Sequence, residues 1–359
     1  MLFLRLPVPY RKPKNKEIKT NIHWPYVMRG IIIDDPVYGR EEITDASVIA
    51  IINTPEFQRL KSINQYGVGE HMTPRMPTTR YEHSIGVYLL LRRLGAGFEE
   101  QIAGLLHDIS HTAFSHVIDF FLGENTTQEF HHNHFEGMLE GSAINQILAN
   151  EGFSVKGIIG HERFKLLEDE GKGLCADRID YSLRDGLVFG VLDKKDVGRI
   201  VGSFAVKDGR IVMNDKESAK LFAFGYLNTS KGYWTNPLFG GSYEVLCSAL
   251  RIAFEKGAVS EEDFFLTDNE VISKMRMMND EKVDHYLDNV DWANLEECGL
   301  GDAEFKVLLK VRYVDPLFID GDRVIPYSDA DPAFREDIKE FSEHIKKGFW
   351  VRIKPKHLN

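Results

Sequence analysis

"LLHDISHTAFSH", residues 105–116, sets Leu105, Leu106, Ile109 and Phe114 among His107, Asp108, His111 and His116. An ionisable group in an apolar setting costs free energy unless it is paired, hydrogen-bonded or metal-bound. A stretch that carries several is built around a polar site, and other segments must supply the remaining partners. His107 and Asp108 are adjacent, so on a helix their side chains point about 100° apart. They can share one ion only if further residues complete its shell.

Two other segments offer such residues. His83 begins the apolar helical stretch "RYEHSIGVYLLLRRLG", and Asp177 heads another, "GLCADRIDYSLRDGLVFG". Two imidazoles and two carboxylates make a mixed nitrogen and oxygen donor set. It suits one divalent Mn, Fe, Co, Ni or Zn ion, or Mg, better than a closed structural zinc site. Such a set leaves positions open for water and substrate oxygens. Taken alone, each residue reads better as a hydrogen-bonded core histidine or a helix cap. Together, on separate apolar segments, they do not.

The 359 residues, 43% hydrophobic and 28% charged, fit a soluble globular protein of one large or two medium domains. Cys175, Cys247 and Cys298 are far apart and form no CxxC, which points to a reduced, cytoplasmic setting without disulfides. A net charge of −11 argues against broad binding of nucleic acid or anionic lipid. A polyanionic substrate then needs cations gathered locally, as a metal or as clustered Arg and Lys. The opening "MLFLRLPVPYRKPKNKEIK" breaks its apolar run at Arg5 and the prolines, so no signal peptide is expected. No stretch nears the ~20 apolar residues of a membrane span.

Residues 31–43, "IIIDDPVYGREEI", read as two short strands about an Asp-Pro and Gly turn. Helical spacing begins at Asp45, with Thr44 a candidate cap and Pro55 a break. Helices are expected for "FEEQIAGLLHD", "FEGMLEGSAINQILANEG", "HERFKLLEDE", residues 217–256 and 261–277, and "FREDIKEFSEHIKK". "FAVKDGRIVMN" reads as a hairpin turning at Asp208-Gly209, and "FKVLLKVRYVDPLFI" and "GFWVRI" as strands. The expected fold is mainly α, a helical core with small β-hairpins at the N-terminus and in the C-terminal region. The expected division is an N-terminal arm and hairpin (1–46), a catalytic core (47–200) and an α+β region packing on it (201–359).

The order His83, His107-Asp108, Asp177 resembles the H…HD…D signature of the HD-domain metal-dependent phosphohydrolases. "DDPVYG", "TPEFQRLKSINQYG", "TRYEHSIGVYLL", "LLHDISHTAFSH" and "DRIDYSLRDG" are similar, in order and spacing, to the deoxynucleoside triphosphate triphosphohydrolase branch, from about residue 31 to 190. The resemblance implies a helical HD core with one ion held by His83, His107, Asp108 and Asp177. It implies hydrolysis of dNTP to deoxynucleoside and triphosphate. His111, His116 and Asp119 would surround the attacked phosphate, with His132 or His134 of "FHHNH" near Asp119, His131 being the third histidine of that cluster. Arg80 and Arg178 would meet phosphate oxygens. Gln65, Tyr181 and Asp185 would meet the sugar, Asp185 accepting its 3′-hydroxyl. The implied partners are a nucleotide or another phosphorylated small molecule, and further copies of the chain in a dimer or tetramer.

The fit is uneven. Tyr66 stands where relatives often carry Leu against the sugar. The stretch "YLNTSKGYWTNPL" keeps an aromatic, Tyr233 or Trp234, but lacks the family's basic partners. Ile31, Asn53, Gln58 and Lys61 stand where the vertebrate branch reads a guanine nucleotide, so activation by GTP is not expected. Arg184 reads as an i,i+4 salt bridge to Asp180 and not as a catalytic group. These departures keep open a broader nucleotidase or phosphomonoesterase on the same scaffold. In another class, they keep open a nucleotide sensor without turnover.

Overall fold

The computed structural model describes residues 30–72, 76–123, 132–159, 163–169 and 171–355. The N-terminal arm before residue 30 and His131 lie outside the described residues, as does the side chain of His132.

Strand β1 (Ile31–Asp35) pairs antiparallel with β2 (Gly39–Ile43), as the turn residues predict. The turn is tied from within. One oxygen of buried Asp35 accepts the backbone N–H groups of Val37 and Tyr38 at 2.8 and 3.0 Å. Helix α1 (Ala46–Ile52) is capped by Asp45 and not by Thr44, because the Asp45 carboxylate reaches the N–H groups of Ser47 and Val48. Thr54 caps α2 (Pro55–Arg59), whose first turn holds Pro55 where an N–H would be unpaired anyway.

Helix α3 (Arg80–Arg93) is the axis of the fold. A Thr79/Glu82 capping box starts it, and "SIGVYLLL" is buried throughout, as a helix without a polar face must be. Next come α4 (Phe98–Leu106), α5 (Val117–Leu122), α6 (His132–Glu140), α7 (Ala143–Asn150), α8 (Val155–Ile159) and α9 (Ala176–Val188). Both α4 and α9 pack on α3. Gly104 permits the α3–α4 approach, since a Cβ there would lie 2.3 Å from Leu91 Cδ1.

After α10 (Lys194–Ser203), strands β3 (Phe204–Lys207) and β4 (Arg210–Met213) form the expected hairpin. Asp208 and Gly209 turn it at φ 52° and 71°, the double left-handed geometry of a tight two-residue loop. The remaining helices are α11 (Lys216–Thr229), α12 (Pro237–Glu255), α13 (Asp268–Arg276), α14 (Glu281–Asp288), α15 (Tyr327–Ala330) and α16 (Pro332–Ile345). Between and beyond them lie β5 (Leu295–Glu297), β6 (Phe305–Val307), β7 (Leu317–Asp320), β8 (Arg323–Pro326) and β9 (Phe349–Ile353). Two sheets result, ordered β3-β4-β7-β8 and β5-β9-β6. One hydrophobic core runs from Val37 to Ile353. No helix among the described residues is long and apolar enough to cross a membrane.

Several local expectations change. Helix α4 stops at Leu106 and residues 107–110 form a turn, so His107 and Asp108 lie just past the helix expected to carry them. The backbone is diverted by tertiary hydrogen bonds: Ala113 donates its N–H to the Phe264 carbonyl at 2.7 Å, and Phe114 and Ser115 take φ 59° and 49°. The helix expected over 217–256 breaks at a π turn, Ser230–Trp234, and restarts behind the Asn236 cap. Over 261–277 a 3-10 turn precedes α13, which Thr267 caps. The segment 143–150 is separated from α6 by Gly141 and Ser142, the latter capping α7. Residues 163–169, expected as helix, form turns, because Glu100 draws the N–H groups of Leu166 and Leu167 to its carboxylate. "FKVLLKVRYVDPLFI" splits into β6 and β7 with 308–316 irregular between them.

Candidate metal centre

Three segments converge beside the first turn of α3. His83 projects from that helix, His107 and Asp108 from the turn after α4, and Asp177 from the first turn of α9, where a helix N-terminus favours a carboxylate. His83 Nε2 lies 3.2 Å from His107 Nε2, 3.0 Å from Asp177 Oδ1 and 3.7 Å from Asp108 Oδ2. His107 Nε2 lies 3.5 Å from Asp108 Oδ1 and 3.7 Å from Asp177 Oδ1. His83, His107 and Asp108 thus each offer an atom within 4.8 Å of the others.

Hydrogen bonding assigns the tautomers. His83 Nδ1 meets Asp180 Oδ2 at 2.8 Å and His107 Nδ1 meets the Gly104 carbonyl at 2.7 Å, so each Nδ1 is the donor to an acceptor behind it and each Nε2 would present its lone pair to a bound ion. Two lone pairs and two carboxylates facing one point repel unless a cation stands between them. Ligands about 2.1 Å from one ion and at right angles lie about 3.0 Å apart, close to the 3.2 Å between these nitrogens. The donors therefore fit one divalent ion. The same demand for positive charge shows in the His83 imidazole: burial opposes protonation, yet hydrogen bonds to Asp177 and Asp180 and the Asp108 charge raise its pKa to about 10.

A buried ionic chain fixes His83 from behind. Asp180 also accepts from Arg184 Nε at 2.9 Å, and Arg184 Nη2 reaches Asp35 at 2.8 Å, so the expected Asp180–Arg184 bridge extends into the β1–β2 turn. Gly86 leaves room for it: a Cβ there would lie 2.0 Å from Asp180 Oδ1 and Arg184 Nη2.

On the cavity side, Arg80 Nη1 donates to Asp108 Oδ2 at 2.8 Å and Arg80 Nε to Ser115 Oγ at 3.0 Å. Burial disfavours charge on Asp108, but Arg80, with His107 and His111, holds the carboxyl well below its usual range. Ser115 donates in turn to the Asn64 carbonyl at 2.7 Å. Asp268 clamps this arrangement from α13, accepting the N–H of Phe114 at 2.7 Å and of Asn64 at 2.8 Å. His111 Nε2 lies 3.2 Å from Asp108 Oδ1, and burial with the Arg80 charge lowers its pKa to about 3. His116 Nδ1 meets Asp119 Oδ2 at 3.1 Å, and burial with nearby Arg80, Arg312 and Lys310 lowers its pKa well below the ordinary value. Both imidazoles are neutral at pH 7.

A cavity of about 300 Å³ opens onto this cluster. Among the anticipated residues, Gln65, Arg80, His107, Asp108, His111, His116, Asp177, Tyr181 and Asp185 line it. Asp119 stands behind His116. His134 packs its ring 4.9 Å from Phe265 and is not on the lining. Arg178 is not on it either, because its guanidinium donates to the carbonyls of Gly173 and Asp169. Of the two anticipated aromatics, Trp234 faces the cavity, while Tyr233 stacks 3.7 Å from Phe189. Trp234 Nε1 donates to Asp185 Oδ2 at 2.5 Å and the Tyr66 hydroxyl to Asp185 Oδ1 at 2.6 Å. Even so, burial pushes the Asp185 carboxyl up to about 7. Among the lining residues that sequence reading missed are Tyr243, Phe239, Glu168, Lys310 and Arg312. Asp180 reads from the sequence only as a salt-bridge partner of Arg184, whereas its carboxylate also orients His83.

A family model described as HD domain matches residues 80–184. The uncharacterized protein YdhJ of Bacillus subtilis is 34% identical over 323 residues, covering 89% of this chain and 98% of its own. The metal-dependent phosphohydrolase cns2 of Cordyceps militaris is 33% identical over 296 residues, 80% of this chain and 84% of its own. The human deoxynucleoside triphosphate triphosphohydrolase SAMHD1 is 27% identical over 245 residues, 53% of this chain and 39% of its own. A solved phosphohydrolase of Bacteroides thetaiotaomicron shares the fold, with a TM-score of 0.71 over 90% of this chain and 100% of its own at 19% identity. With the bacterial and fungal relatives 33–34% identical over 80–89% of the chain, and donors that fit a divalent ion where the family model matches, the chain belongs to the HD-domain metal-dependent phosphohydrolases.

Proposed function

We propose that the substrate is a nucleotide, with hydrolysis of dNTP to deoxynucleoside and triphosphate as the first specific reaction. The observation that carries this reading is one cavity that joins the metal donors to an aromatic wall of Tyr181, Trp234 and Tyr243. Gln65 lines it too, and its Oε1 is buried with no hydrogen-bond partner among the described residues, an acceptor suited to a substrate hydroxyl or amine. The name of the human relative supports a nucleotide, although the match spans only 39% of that protein.

His83, His107, Asp108 and Asp177 would hold the ion, which when bound supplies Lewis acidity and an acidified water at phosphorus. The chain's own groups do the rest. Arg80, pinned by Ser115 and Asp108, offers its remaining N–H groups to a phosphoryl oxygen. His111, neutral and with its Nε2 turned to Asp108, would line the phosphate side of the cavity and steady that ligand. His116 takes up a proton as the phosphate anion binds and passes it to the leaving oxygen, with Asp119 steadying its imidazolium. His107→Ala or Asp177→Ala is expected to abolish metal-stimulated release of phosphate or triphosphate while the protein stays folded. Unchanged turnover in either variant ends the reading.

A broader phosphomonoesterase is the second reading, favoured by one observation: both Asp185 oxygens are engaged by Tyr66 and Trp234. A panel of dNTP, NTP, NMP and a chromogenic phosphoester separates the two. Triphosphate as product marks attack at the α-phosphorus, and orthophosphate marks the terminal one. Ligand-induced stabilisation without product would indicate a sensor.

A further inference from the structure

The irregular segment 308–316 between β6 and β7 runs along the cavity, and Leu309, Lys310 and Arg312 line it. Both of its flanks are anchored. Leu309 sits against Gly240 of α12, where a Cβ would lie 2.7 Å from Leu309 Cδ2. Val314 is buried, the Asp315 N–H donates to the Lys172 carbonyl at 2.9 Å, and Lys172 Nζ stands 4.8 Å over the Tyr313 ring. The Asp315 carboxylate accepts from Ser328 through N–H at 2.9 Å and Oγ at 2.6 Å. Two cations are therefore held at the wall by packing on either side of them.

Their charges reach into the site. Arg312 and Lys310 both bear on His116, and Arg312 also bears on Tyr181, Tyr226 and Tyr243. Arg178, expected from the sequence to supply the cation here, is spent on backbone carbonyls. Glu168 lines the same cavity and is the counter-charge any anion has to compete with. In a chain of net charge −11, cations gathered beside a phosphoryl centre mark where a polyanion lies. Arg suits a bidentate grip on phosphate oxygens and Lys a point contact.

We propose that Lys310 and Arg312 form a second anion subsite, which takes phosphate groups beyond the one at the metal centre and directs the enzyme toward substrates with more than one phosphate. The inference rests on the phosphohydrolase reading of this cavity and is independent of which nucleoside, if any, is attached. Inorganic tripolyphosphate and orthophosphate are the probes, with binding followed by thermal stabilisation and by inhibition in Mn²⁺-supplemented protein. The wild type is expected to bind tripolyphosphate at least tenfold more tightly than orthophosphate. That ratio should collapse in Lys310→Ala and Arg312→Ala and survive in the double variant Lys310→Arg with Arg312→Lys. Lys310 is exposed and Arg312 half-buried, so neither truncation opens the core. An unchanged ratio in both alanine variants, or equal weakening toward both anions, overturns the subsite. If nucleotides are not turned over but the ratio still collapses, the nucleotide reading fails and the subsite stands.

Discussion

The phenol of Tyr66 donates to Oδ1 of Asp185 at 2.6 Å, across 119 residues of chain. With the Trp234 indole on the other oxygen, a sugar hydroxyl that reaches this carboxylate has to share it with two protein donors or displace one of them. Tyr66→Phe keeps the ring and frees Oδ1. The expected outcome is a rise of roughly tenfold in the kcat/KM ratio of 2′-deoxy over 2′,3′-dideoxy nucleotides, about the value of one hydrogen bond to a charged group. A constant ratio would show that Asp185 does not sense the sugar.

Asp180 serves two buried partners, His83 and Arg184. Asp180→Asn removes the charge that orients His83 and is expected to lower metal affinity by about 10- to 100-fold, as loss of an orienting partner commonly does. Asp180→Ala also leaves Arg184 with Asp35 as its remaining buried carboxylate partner, at a cost of roughly 3–5 kcal/mol in stability. Metal titration calorimetry and urea unfolding read the two effects separately. Unaltered metal affinity in both variants would remove Asp180 from the site.

The raised pKa of Asp185, about 7, gives a signed dependence of stability on pH. An unfolded Asp titrates near 3.9, so between about pH 4 and 7 the folded state binds more protons than the unfolded one. The stabilisation from this group is complete below about pH 4 and is lost as pH rises through 7. Asp185→Asn abolishes that loss. Denaturant unfolding at pH 5 and pH 8 should show a smaller drop for the variant than for the wild type, and equal drops would contradict the shift.

Asp268 holds two backbone donors, at Phe114 and Asn64, beside residues in left-handed conformations. Asp268→Ala strands both N–H groups. At about 1–3 kcal/mol for each unsatisfied donor, a loss of roughly 2–6 kcal/mol is expected. KM should also rise, because Ser115 no longer steadies Arg80. Stability and KM both within error of wild type would show the clamp to be idle.

The candidate metal donors were legible because each has a telling local setting: His107 and Asp108 are neighbours in an apolar run, and His83 and Asp177 each open an apolar helix. Hairpin turns and the Asp180–Arg184 bridge were legible for the same reason. Lys310 and Arg312 were not, since they follow Asp177 by more than a hundred residues, in a segment whose Val and Leu content reads as strand. Nor was the end of α4 at Leu106. The loop that follows is held by Phe264 and Asp268 through contacts at Ala113 and Phe114 that no local pattern encodes. Arg178 shows the converse: its place in the motif was clear, but nearby carbonyls claimed its guanidinium.

The Asp268 clamp also bears on how portable this centre is. The family match, residues 80–184, contains every proposed ligand, yet the carboxylate that braces the turn beside Arg80 comes from α13. A fragment trimmed to that match would inherit the ligands and mis-aim the arginine. Grafting the chemistry onto another scaffold therefore means transplanting α13 along with it.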